Sequence, residues 1–193
     1  MSFVTGTQAE LLYTLSSAIT KNTYTTQAAY TGVTGTNTVC SIPPGWLLNE
    51  GVNPVGRALY MKALGTIANT AAATFANAVN VNPTPGTATG NIVINTAYTP
   101  TASVTAGWFV EAWLTCTAFA TSTCTWQCNG AVLYNTIASG GAVSTAPSQQ
   151  VFSGTFTGLD PRVQQYVELF GTWSASNAAN TTTVQQMFLW GLN

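Results

Sequence analysis

The stretch GWFVEAWLTCTA, residues 107–118, decides the fold. Trp108, Val110, Ala112, Leu114 and Cys116 fall on one side of an extended chain. Phe109, Glu111, Trp113 and Thr115 fall on the other. Successive side chains of a strand point to opposite faces, so the first set is a continuous apolar row and the second carries a carboxylate at its centre. That alternation predicts a strand with one core face.

The same pattern extends outward along the chain. In RVQQYVELFGTW (162–173), Val163, Val167, Leu169 and Trp173 line one side, and Gln164, Tyr166, Glu168 and Thr172 the other. TTTVQQMFLWG (181–191) reads as a further strand of more mixed pattern. Earlier strands are expected at 10–17, 36–42, 56–67, 72–81, 90–96 and 123–134, with a short one near 149–157. Turn residues separate them: Pro43-Pro44-Gly45, Asn82-Pro83-Thr84-Pro85-Gly86, Thr99-Pro100, Ser139-Gly140-Gly141 and Asp160-Pro161. The Ala-rich run at 71–79 is read as strand, because Asn, Pro and Gly flank it and no helix cap precedes it. The expected fold is all-β: an antiparallel two-sheet β-sandwich, jelly-roll-like, of roughly eight to ten strands and under about 10% helix. The expected organisation is an N-terminal arm and entry strand over 1–35 and a single sandwich domain over 36–193. No tandem repeat is visible.

Composition narrows the function. The chain has 193 residues, of which 46% are hydrophobic and only 5% charged, with a net charge of −1 and no histidine. Four Lys plus Arg cannot line a phosphate backbone, so no nucleic-acid partner is expected. Without histidine there is no Ser–His–Asp or Cys–His nucleophile and no His-ligated metal. No apolar run is long enough to span a membrane, and the first residues lack the pattern of a signal peptide, so synthesis in a host cytoplasm is expected. A near-neutral surface rich in Thr (34 residues), Asn, Gln and Gly is poorly defended against association. It suits a protein that packs against copies of itself or against others.

Candidate chemistry is sparse. Cys40, Cys116, Cys124 and Cys128 have no zinc-site spacing. Buried free thiols are expected, with a Cys116–Cys124 disulfide across the turn at 118–122 as the alternative. The carboxylates are Glu10, Glu50, Glu111, Asp160 and Glu168. Glu111 and Glu168, both mid-strand, are expected as neighbours in one sheet with Lys62, forming a structural ion pair rather than a glycosidase pair. One Asp in the chain argues against a calcium loop. The tryptophans fall at strand periodicity: Trp108, Trp113, Trp126, Trp173 and Trp190 are expected in the core or in a subunit interface, with a carbohydrate-stacking surface as the competing reading. No catalytic residue, cofactor or metal is expected.

Three segments carry a family resemblance: IPPGWL (42–47), GWFVEAWLT (107–115), and FTGLDPRVQQYVELFGTWSASNAANTTTVQQMFLWGLN (156–193). Together they resemble the small β-sandwich structural proteins of tailed-bacteriophage virions, and GTWSASNAAN followed by an apolar final strand is the most specific part. The resemblance covers roughly residues 36–193. It implies a jelly-roll fold and a non-enzymatic virion role. The expected function is a capsid decoration or minor capsid protein on the capsid surface, bound to the phage major capsid protein and to copies of itself as a homotrimer. The alternative is a tail or fibre module that recognises a host-surface glycan.

The N-terminal arm is the expected attachment element, through Phe3, Val4, Leu11, Leu12 and Tyr13. Ordering an arm costs about 1–2 kcal/mol per residue. Burial of these apolar side chains against a neighbour, with strand-like hydrogen bonds, is expected to offset that cost.

Overall fold

The computed structural model describes residues 9–22, 25, 28–30, 40–48, 53–69, 73–87, 92–93, 98–100, 105–136 and 148–192. Twelve strands run in order: β1 (Ala9–Thr14), β2 (Ile19–Asn22), β3 (Ala28–Ala29), β4 (Ser41–Ile42), β5 (Ala58–Ala68), β6 (Phe75–Asn82), β7 (Ile92–Val93), β8 (Thr105–Ala120), β9 (Thr123–Thr136), β10 (Ser148–Leu159), β11 (Gln165–Trp173) and β12 (Thr181–Leu192). No helix occurs among the described residues.

Two antiparallel sheets form. A seven-stranded sheet runs β1-β12-β5-β8-β9-β10, with β2 continuing the β1 edge along β12. A five-stranded sheet runs β3-β11-β6-β7, with β4 also on β11. The chain crosses between the sheets from β2 to β3, from β4 to β5, from β5 to β6, from β7 to β8, and on either side of β11. That habit makes the sandwich jelly-roll-like, while β8, β9 and β10 run as a meander within one sheet.

The alternation at 107–118 places the core as the sequence predicts. Trp108, Val110, Ala112, Leu114 and Cys116 are buried. Val167, Leu169 and Trp173 of β11 meet them from the opposite sheet in one apolar cluster. Each large side chain fully removed from water contributes about 1.5–3 kcal/mol. Asn77 of β6 donates across the sandwich to the hydroxyl of Tyr134 on β9 at 3.0 Å, so the sheets share a polar contact inside the core.

Two glycines let aromatic rings lie directly on the seven-stranded sheet. A Cβ on Gly130 would strike the Phe152 ring, and one on Gly191 would strike the Trp46 ring. Trp46 in turn donates to Glu10 at 3.1 Å and lies beneath the Arg57 guanidinium at 5.5 Å, which ties edge strand β1 to the body.

The structure corrects several boundaries. The described residues form twelve strands, against the eight to ten expected. β2 and β3 carry no pattern in the sequence, because four- and two-residue strands are too short to show a period. The strand expected at 36–42 is β4, two residues long, and the one at 90–96 is β7, also two residues long. Apart from Cys40, which precedes β4, the rest of both spans lies outside the described residues, as does the Ser139-Gly140-Gly141 turn. β10, expected to be short, is twelve residues long, because a bulge between Phe156 and Leu159 lets it bend and continue pairing with β9. Of the Ala-rich run at 71–79, read as strand, residues 75–79 belong to β6, residues 73–74 precede it, and 71–72 lie outside the described residues.

Phe3 and Val4 lie outside the described residues. Leu11, Leu12 and Tyr13 belong to β1, which pairs with β12. Leu12 and Tyr13 pack against the core, and Leu11 is half exposed.

Candidate functional site

The outer face of the seven-stranded sheet carries the side chains that alternate away from the core. Register aligns them in rows across the strands. Trp190 pairs with Tyr60, Tyr60 with Trp113, Trp113 with Asn129, and Asn129 with Ser153. The next row holds Phe188, Lys62, Glu111, Ala131 and Val151. Thr115, Gln127 and Thr155 form a third.

The aromatic members stack on one another. Ring centroids are 5.4 Å apart for Phe188–Trp190, 5.3 Å for Trp190–Tyr60 and 4.3 Å for Tyr60–Trp113. Tyr60 has a tryptophan on each side. Trp113 ends the row: its ring is tilted by 30° against that of Tyr60, and the residue is 47% exposed. Its cross-strand partner on β9 is Asn129.

Asn129 belongs to a hydrogen-bonded polar group on β9 and β10. Gln127 donates to Ser153 Oγ at 3.3 Å and to Asn129 Oδ1 at 3.5 Å, and Thr155 donates to Gln127 Oε1 at 3.3 Å. Two amides and two hydroxyls present both donors and acceptors, all uncharged.

Glu111 serves the aromatic stack. Its Oε1 accepts from the Tyr60 hydroxyl at 2.6 Å and lies 3.7 Å from the Lys62 ammonium. Lys62 also sits 4.8 Å from the centre of the Phe109 ring. Burial, and then the bond to Glu111, push the Tyr60 phenol up to about 12, so it stays a donor throughout the physiological range.

The expected Lys62–Glu111 pair is therefore present, as direct cross-strand partners. The expectation that Glu168 joins them is corrected. Glu168 lies on β11 in the other sheet and is fully buried, because the chain crosses sheets between β10 and β11. Glu111 and Glu168 do not share a face. Among the described residues no three of Cys, Asp and Glu group together as metal ligands. All four cysteines are buried free thiols. No described helix is long and apolar enough to cross a membrane.

The tryptophans divide. Trp108, Trp126 and Trp173 are buried, whereas Trp113 and Trp190 stand on the outer face. The signal that separates them lies in residues 107–118: Trp113 shares its side with Glu111 and lies opposite Trp108. The polar group on β9 and β10 has no such signal, since its members meet only through the register of those two strands.

No protein-family model matches the chain, and no curated protein matches it. Among solved structures, one match is described as the CBM2 module of the evolved Dit of Lactobacillus casei BL23 phage J-1. It is 9% identical, covers 97% of each chain and has a TM-score of 0.33. A likeness at that score decides neither fold nor function.

Proposed function

We propose that this chain is a non-enzymatic binding module of a bacteriophage virion that holds an uncharged saccharide on the outer face of its seven-stranded sheet. One observation carries the reading: the exposed Trp113 is the direct cross-strand partner of Asn129, a member of the Gln127, Asn129, Ser153 and Thr155 group. A pyranose has an apolar C–H face and a rim of hydroxyls. The first suits an exposed indole, whose burial is the main source of affinity. The second suits paired amides and hydroxyls that both donate and accept. Glu111 and Lys62 neutralise each other, so the face favours neutral sugars over anionic ones. Placement on a virion rests on the resemblance of residues 156–193 to virion proteins.

The test is a titration of tryptophan fluorescence with soluble neutral oligosaccharides. A saturable change that Trp113→Ala abolishes supports the reading. No saturable response to any neutral sugar, or one that Trp113→Ala leaves intact, contradicts it.

A second reading, a capsid decoration protein docked on the major capsid protein as a homotrimer, draws on the apolar residues exposed at the two sheet edges. Leu11 on β1 is 52% exposed and Val151 on β10 is 80% exposed. Loss of particle incorporation in Leu11→Ser and Val151→Ser, with sugar binding absent in the wild type, favours this second reading.

A further inference from the structure

We propose that Glu168 and Asn80 share a proton, and that the pair is a pH-sensitive latch holding the turn at 82–87 on the five-stranded sheet. The two residues are direct cross-strand partners on β11 and β6. Their side chains therefore rise side by side from one face. Both are fully buried.

Each grips the turn that follows β6. The Gly86 N–H donates to Glu168 Oε1 at 2.8 Å. Asn80 Nδ2 donates to the Thr87 carbonyl at 2.5 Å. A carbonyl only accepts, so Thr87 fixes which end of the amide faces it. That leaves Glu168 Oε2 and Asn80 Oδ1, two buried oxygens with no hydrogen-bond partner among the described residues. Two acceptors side by side cannot bond. A proton on Oε2 makes that oxygen a donor to Oδ1 and satisfies both. An unsatisfied buried pair would be costly.

The surroundings favour the protonated form. Among the described residues no cation faces Glu168: Lys62 and Arg162 pair with Glu111 and Asp160, and neither Lys21 nor Arg57 forms an ion pair with it. β6 offers only asparagines, Asn80 and Asn82, and the turn offers only Pro, Thr and Gly. The titratable neighbours are Tyr166 on β11 itself and Cys40 just before β4. Burial first, and then Glu168, hold the Cys40 thiol protonated. Burial raises the Glu168 carboxyl from 4.5 to about 7, against the pull of the Gly86 N–H.

The direction of the switch follows. The folded chain keeps a proton that the unfolded chain releases above about 4.5. The stabilisation is complete below that pH, declines as pH rises, and is lost once pH passes about 7. Once Glu168 is ionised, Asn80 satisfies it only by turning Nδ2 away from Thr87, which frees that end of the turn. The same turn supplies Asn82 and Pro83 to a cleft of about 230 Å³, whose other wall is residues 155–159 of β10. Release of the latch therefore alters that cleft.

The test is a carbon-13 carboxyl titration of the full chain, with thermal stability followed from pH 4 to 9. In the wild type the Glu168 carboxyl titrates near 7, and in Asn80→Ala it titrates lower by about one pH unit or more, because the neutral form loses its acceptor. Glu168→Gln, whose amide donates to Asn80 Oδ1 at every pH, loses the fall in melting temperature between pH 4.5 and 7. A wild-type midpoint near 4.5, or an unchanged midpoint in Asn80→Ala, overturns the pairing. If Asn80→Ala does not fold, Glu168→Gln decides: the wild-type pH slope retained in that variant overturns the latch.

Discussion

Tyr60 donates its phenolic proton to Glu111 across the β5–β8 pair at 2.6 Å, and the same carboxylate oxygen lies 3.7 Å from the Lys62 ammonium. One oxygen thus positions the ring that backs Trp113. The exposed aromatic face is held by polar bonds on the sheet surface as well as by its stacking.

The first expected outcome concerns Tyr60. Its raised ionisation means that the contribution of the neutral phenol to stability is whole below pH 10 and is lost as pH approaches about 12. Glu111→Gln weakens the hold on the proton. Ultraviolet titration of that variant should show one tyrosine midpoint moving down towards 10. Identical titrations of variant and wild type would contradict the bond.

Gly191→Ala forces a methyl group into the Trp46 ring. Overpacking of this kind costs about 1–3 kcal/mol, and urea unfolding measures it. Trp46 also anchors Glu10 on β1, so the edge strand should lose amide protection before the rest of the sheet.

Thr121 makes the two-residue connection between β8 and β9 with φ at 57°. The left-handed region disfavours β-branched side chains by roughly 1–2 kcal/mol and tolerates asparagine. Thr121→Asn should raise stability by about 1 kcal/mol in thermal or urea unfolding.

Burial pushes the Cys116 and Cys128 thiols up to about 12, and raises Cys40 and Cys124 as well. A thiol reacts as its thiolate. A chromogenic disulfide reagent should modify none of the four in the native protein at pH 8 and all four in denaturant. Rapid labelling of native Cys116, Cys124 or Cys128 would show that the β8–β9 hairpin opens.

The sheets are legible in the sequence where strands are long. The alternation of β8 names both faces residue by residue, and the Lys62–Glu111 pair follows from two strands of matching character. Sheet membership is not legible. Glu168 reads like Glu111, a carboxylate mid-strand, yet one faces solvent beside a lysine and the other is sealed beneath a turn. Period-2 patterning reports the face of a strand and not its neighbours. Alternation alone leaves the face opposite the core open to water, whereas Phe170, Ala29 and Ala78 form a second small cluster on the outer side of the five-stranded sheet. The polar group beside Trp113 needs β9 and β10 in register, which no local pattern encodes.

Saccharide recognition is tested most directly by binding of the purified chain to an array of neutral and anionic glycans, beside Trp113→Ala. The wild type should retain a set of uncharged sugars, and Trp113→Ala should lose them by about thirtyfold or more in affinity, the ~2 kcal/mol of a central aromatic contact. Binding confined to anionic glycans, or neutral-glycan binding that survives Trp113→Ala unchanged, would contradict a neutral-sugar site on this face.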